Sequence, residues 1–267
     1  VRKSSGHRLY TQEHIDLITR VVGLLDRGMR IGQVNAQLES EEIATDAGPD
    51  QVNDLWKRHL DHMIAAVIRF DESALEQTYG EALSLYPVDT VTEKLVMPLL
   101  KELGRRWAED QGSVAEEHFF GFYLRNKLGA RFHHRHRSKV GPRILLACLP
   151  GDRHETGLLL FSLAASEAGY QTILLGADMP IEDLPAAARK TGSKAIVLSG
   201  LIKPSKRVLS QELPALKLAT SIPVFMGGRA SVEAHDALRK IDVTPLGTDL
   251  ETGLQRIKDA VPVSPGE

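Results

Sequence analysis

The stretch Asp152-Arg153-His154-Glu155-Thr156-Gly157 decides the fold, because of what flanks it. An apolar strand pattern, Arg143 to Leu149, runs into it, and an apolar helix pattern, Glu155 to Ala168, runs out of it. A near-continuous apolar run of strand length followed by a buried helix opens a βα unit of a parallel sheet. A histidine in that turn stands at the carboxyl end of a strand, where open α/β sheets bind ligands. The pattern then repeats. Strands are expected at Gln171–Gly176, Ala195–Ser199, Pro223–Met226 and Thr244–Leu246, and helices at Ile181–Lys190, Lys206–Leu218, Val232–Lys240 and Leu250–Val261. Five such units predict a five-stranded parallel sheet covered on both faces over residues 140–262. The tail Ser264-Pro265-Gly266-Glu267 is expected to carry no regular structure.

Two further pieces fall at matching turns. Ser199-Gly200-Leu201 follows Gly157 after 41 intervening residues, and Gly227-Gly228 follows Leu201 after 25. In that order Asp-x-His-x-x-Gly, Ser-x-Leu and Gly-Gly resemble the cobalamin-binding signature of corrinoid proteins. The resemblance implies a Rossmann-like, flavodoxin-like cobalamin-binding domain. It makes His154 the lower axial ligand of the cobalt, displacing the cofactor's own base. A neutral imidazole suits a cobalt ion with an open axial position. Its second ring nitrogen normally donates to a carboxylate, the role Asp152 is placed to take, with Ser199 extending the chain of hydrogen bonds. The nucleotide tail would enter the sheet domain, where glycine permits close backbone approach. Gly157, Gly200, Gly227 and Gly228 meet that need, and Leu201 completes the binding set. The competing reading is a flavodoxin-like domain whose turn residues only cap helices.

Composition bounds the rest. The chain has 267 residues, a formal charge of −2 and one cysteine, Cys148, inside an expected buried strand. That length accommodates two domains, the charge does not call for nucleic acid, and there is neither a disulfide framework nor zinc spacing. No apolar run reaches membrane-spanning length and no secretory signal is visible, so the expected location is the cytoplasm. The chain begins with Val1, which reads as a fragment or a processed product.

Ahead of the sheet domain the periodicity is helical. Leu55, Leu60, Met63, Ile64, Val67 and Ile68 form one apolar stripe between Asp50 and Phe70. A second helix is expected from Asp71 to Leu85. A third runs from Val91 to Trp107, opened by the capping box Thr90-x-x-Glu93 and kinked at Pro98. A fourth is opened by Ser113-x-x-Glu116 and runs to about His133. Short connections predict a four-helix bundle over residues 50–137.

Nine residues separate Trp107 from Glu117-His118, and Gly112 breaks the helix between them. Trp-x9-Glu-His ahead of the corrinoid signature resembles the CarH and LitR family of light-responsive transcription regulators. The resemblance implies that Trp107 shields the upper, 5′-deoxyadenosyl group of adenosylcobalamin. Glu117 and His118 would contact its ribose or adenine, or the corrin edge. It further implies a homo-oligomer, dimer or tetramer, whose assembly and DNA binding change when light cleaves the Co–C bond. One position departs from the pattern. Some members carry a histidine directly after the tryptophan that takes the upper cobalt position after light; here it is Ala108, which cannot ligate.

The N-terminus carries a second resemblance. Ser4-Ser5-Gly6-His7-Arg8-Leu9-Tyr10-Thr11 and the helix that follows, Gln12 to Arg27, look like the wing and later helices of a MerR-type winged helix, a partial module over residues 1–40. Arg2, Lys3, His7 and Arg8 form a basic cluster of the kind that touches phosphates, with His7 and Arg8 the DNA candidates. The helix that would read the major groove is not in the sequence, so DNA binding is expected of the intact protein. Glu39 to Pro49 reads as an acidic linker. Arg131-Phe132-His133-His134-Arg135-His136-Arg137 reads as a solvated basic linker rather than a metal site. Three alternatives stay open: a corrinoid carrier for methyl transfer, a sensor of haem or a bilin on the same fold, and a regulator that works without cobalamin. An adenosylcobalamin enzyme is not expected, since nothing resembles a substrate barrel.

Overall fold

A computed structural model describes residues 49–134 and 141–263, together with Val21, Val22 and Val34, which are helical. His7, Arg8 and the winged-helix remnant lie outside the described residues, as does most of the expected helix Gln12 to Arg27. The chain divides into two compact units, residues 1–123 and 124–267. Element labels run along the described residues.

In the first unit, α1 (Pro49–Ile68) packs on α2 (Glu72–Leu85) and on α3. The last spans residues 88–108 in three stretches: Val88–Val91, a π turn Thr92–Val96, and Met97–Ala108. Met63 and Val67 of α1, Leu75 of α2 and Leu95 and Leu99 of α3 have no exposed surface. Asp71 caps α2, its carboxylate accepting from the Ala74 amide at 3.0 Å. The expected capping box at Thr90 does not form. The helix starts earlier, behind Pro87, whose fixed φ of −58° sets the entry, and Thr90 lies inside it. The π turn ends just before Pro98, which has no amide hydrogen to give to the turn behind it. Ser113 caps as expected, Oγ accepting from the Glu116 amide at 3.2 Å, and opens α4 (Val114–His134). That helix crosses the division between the units, which falls after Tyr123. Within the first unit Tyr123 donates to Glu76 at 2.9 Å.

The second unit holds β1 (Arg143–Cys148), α5 (Thr156–Glu167), β2 (Gln171–Gly176), a 3-10 turn (Ile181–Asp183) leading into α6 (Leu184–Thr191), and β3 (Ala195–Ser199). A π turn (Val208–Glu212) leads into α7 (Leu213–Ala219), followed by β4 (Val224–Gly227), α8 (Arg229–Glu233), α9 (His235–Lys240), β5 (Thr244–Gly247) and α10 (Leu250–Ala260). All strands are parallel, in the order β2-β1-β3-β4-β5. Strand alternation divides the core. Leu145, Ala147 and Leu149 face one side with Leu184, Leu213 and Leu216. Ile144, Leu146 and Cys148 face the other with Leu158, Phe161 and Ile257. The expected helix Val232–Lys240 is instead the pair α8 and α9. It begins at Arg229 because Gly228, at φ +80°, turns the chain directly out of β4. In this order the chain leaves β1 for β2 on one side and returns to β3 on the other, so the crevice at a topological switch lies beyond Cys148 and Ser199.

Candidate functional site

At that crevice a single carboxylate organises two loops. Asp152 is 2% exposed. Its Oδ1 accepts from the His154 amide at 2.9 Å and stands 2.9 Å from His154 Nδ1. Its Oδ2 accepts from the Leu201 amide at 2.5 Å and the Ile202 amide at 3.3 Å. The contact turns Nδ1 of the imidazole toward the carboxylate and so fixes the orientation of the ring. The His154 side chain is 35% exposed, between the core and solvent. The position expected for Ser199 is therefore taken by backbone: the Leu201 and Ile202 amides, not the Ser199 hydroxyl, complete the Asp152 cluster. Ser199 instead accepts through its carbonyl from Leu149 N at 2.9 Å and tethers the ends of β1 and β3. Leu201 and Ile202 remain apolar and exposed beside this cluster.

A second aspartate, which sequence reading did not single out, holds the loop from behind. Asp178, at φ +50°, accepts from the Gly151 amide at 2.6 Å and donates its own amide to the Asp152 carbonyl at 2.9 Å. Asp after Gly176-Ala177 was the available signal, since aspartate tolerates left-handed backbone. Ser231 was also missed. Its hydroxyl donates to the Gly228 carbonyl at 2.7 Å and accepts from the Gly247 amide at 3.1 Å, joining β4 to β5. Cys148 carries no comparable chemistry. Burial, then the nearby charges of Asp152 and Glu155, push its thiol up to about 12, which keeps it protonated. Among the described residues no group of three His, Cys, Asp or Glu side chains forms a metal cluster.

The four glycines separate into two kinds. A Cβ on Gly200 would lie 2.7 Å from Leu149 Cδ1 and 2.8 Å from Ala230 Cβ, and one on Gly228 would lie 2.4 Å from the Gly200 carbonyl oxygen. Their small size is used by the protein's own packing. A Cβ on Gly157 would meet nothing within 4 Å, and one on Gly227 nothing nearer than 3.9 Å. Gly157 lies in the first turn of α5, three residues after His154, and leaves open space that the fold itself does not fill. An imidazole oriented by a buried carboxylate, beside open glycine-bordered space and exposed apolar side chains, fits a planar metal-centred cofactor with a tail.

In the first unit, Trp107 near the end of α3 is 54% exposed, and His118 and Phe122 of α4 are exposed as well. Glu117 is half-buried. The turn between the helices is closed by Arg106, whose carbonyl accepts from Gln111 N at 2.8 Å and Gly112 N at 3.1 Å, with Asp110 at φ +56°.

Comparison with known proteins agrees with this chemistry. Residues 60–131 and residues 142–252 match two family models, each described as a B12 binding domain. The chain belongs to the B12-binding proteins. Within them it is similar along most of its length to repressors of the CarH type. It is 28% identical over 254 residues to the HTH-type transcriptional repressor CarH of Myxococcus xanthus, covering 89% of this chain and 81% of that one. To the HTH-type transcriptional repressor CarA of the same organism it is 25% identical over 238 residues, covering 88% and 78%. The fold is also that of the Methanosarcina barkeri monomethylamine corrinoid protein, with a TM-score of 0.64 at 16% identity over 76% of this chain and 98% of that one. No helix among the described residues is long and apolar enough to cross a membrane.

Proposed function

We propose that this chain is the sensing part of a cytoplasmic, non-catalytic transcriptional regulator that binds adenosylcobalamin and responds to light. The observation that carries the reading is the buried Asp152 carboxylate that holds and orients the His154 ring at the switch-point crevice. Bound adenosylcobalamin supplies a Co–C bond that visible light cleaves. His154 would be the residue that ligates the cobalt, and Asp152 would hold its ring orientation. Gly157, Gly227 and the chain around Ser199, Gly200, Leu201 and Gly228 admit the nucleotide tail. In the helical unit, Trp107 would be the residue to shield the adenosyl group, and Glu117 and His118 would be the polar candidates for contact with the cofactor. A ligand shifts a conformational equilibrium only through contacts that differ between its states. A Trp107 contact to the adenosyl group would be that difference here, and its loss would change the homo-oligomer and, in the intact protein, DNA binding. Ala108, directly after Trp107, would offer no side-chain ligand to the cobalt.

The test is an absorbance spectrum with adenosylcobalamin in the dark and after green light, with size-exclusion runs on both samples. The reading expects bound cofactor, a light-driven spectral change and a change in assembly size. His154→Ala should abolish the His-ligated spectrum; an unchanged spectrum and affinity in that variant would overturn the axial assignment. A protein that prefers methylcobalamin to the adenosyl form and keeps its assembly state in light would instead be a methyl carrier.

A further inference from the structure

His154 is anchored on two sides, and only one of the anchors belongs to the corrinoid signature. Asp152, two residues before it, ties the loop to the chain after β3. Glu155, the residue after it, is the N-cap of α5, yet no side chain caps that helix end. The Glu155 carboxylate is 17% exposed and lies over the end of β2, where a Cβ on Gly176 would be 3.5 Å from Oε2. Its other oxygen forms an ion pair with Arg125 Nε of α4 at 2.9 Å. Both partners belong to the second unit.

We propose that Arg125 is a positioning residue for His154, acting through its ion pair with Glu155. The inference rests on the reading of His154 as the axial ligand. Asp152 orients the imidazole ring, while the Arg125–Glu155 pair fixes the backbone on which the ring is mounted, by pinning the start of α5 to α4. The partly buried carboxylate makes the pair stronger than two fully exposed charges, and the exposed guanidinium keeps it sensitive to salt.

Two measurements on the full chain test this. Without cofactor, hydrogen exchange of the segment 149–159 should quicken roughly three- to tenfold in Arg125→Gln and in Glu155→Gln, because the tie is lost while the fold is kept. Titration with hydroxocobalamin should show affinity weakened by a similar factor, with a smaller His-ligated fraction in the absorbance spectrum. Arg125→Lys should recover part of both. Wild-type exchange in both glutamine variants overturns the proposal. So does weakened affinity with wild-type exchange, which would make Arg125 a direct contact rather than a positioning residue. His154→Ala separates the two readings: if it binds as the wild type does, the axial assignment fails, while the exchange measurement still reports on the tie alone.

Discussion

Asp152 of the sheet unit is 2% exposed with both oxygens bonded, whereas Trp107 of the helical unit has 54% of its surface open and Phe122 66%. Folding alone completes the surroundings of His154: strand ends, two aspartates and backbone amides hold it before any ligand arrives. The helical residues have no such completion within their own unit, and apolar surface of that size gains free energy only when something covers it. The surroundings of His154 are therefore preorganised, whereas the exposed aromatic surface of the helical unit gains free energy only on contact with something that covers it.

Removing the centre of the preorganised region should have the largest effect. Asp152→Ala leaves three amides and an imidazole without their acceptor in a buried place, and should cost about 3–5 kcal/mol in urea unfolding of the sheet unit. A cost below 1 kcal/mol would mean that water replaces the carboxylate and that the region is not preorganised. The glycines sharpen the point. Gly228→Ala combines φ +80° with a 2.4 Å clash on Gly200 and should cost about 2–4 kcal/mol. Gly157→Ala should leave stability unchanged or raise it by about 0.5–1 kcal/mol while weakening cobalamin binding, since only the ligand needs that space. If both substitutions changed stability alike, the division between packing glycines and ligand glycines would be wrong. In the helical unit the order reverses. Trp107→Ala should move stability by less than about 1 kcal/mol, yet narrow the preference for adenosylcobalamin over hydroxocobalamin about tenfold in paired titrations.

The smallest effect concerns pH. His59 of α1 is 7% exposed, its Nε2 has no hydrogen-bond partner among the described residues, and burial holds its pKa below the ordinary value, against the nearby charge of Glu81. The unfolded chain then binds the proton more readily than the folded one. Stability of the helical unit should be full above pH 6.5 and fall as pH drops below it, and His59→Phe should flatten that slope in thermal scans. An unaltered slope would assign the acid sensitivity to another group.

The sequence was most legible where periodicity and chemistry coincide. β2 and β3 fall on their expected residues because apolar runs of strand length end at Gly176 and Ser199-Gly200. The Asp152–His154 contact was legible because the two side chains are neighbours in sequence. The other half of that cluster was not, because the Leu201 and Ile202 amides are backbone, and no residue type announces where an amide hydrogen will point. Thr90-x-x-Glu93 has the letters of a capping box, but Pro87 starts the helix first, and a local motif yields to an earlier start. The Arg125–Glu155 pair joins residues thirty apart through tertiary structure, and charge patterning gives no hint of it.

The π turn at Thr92–Val96 has a consequence for heredity as well as for shape. A π turn is a helix with one residue more than its length requires, so it can be lost by a single deletion without breaking the helix. Such a deletion would restore the regular winding and swing every downstream side chain of α3, Trp107 among them, by about 100° around the helix axis. The azimuth of the tryptophan is thus encoded eleven residues upstream of it. A chain could turn its tryptophan to another face in one mutational step, while every residue of the motif remained in place.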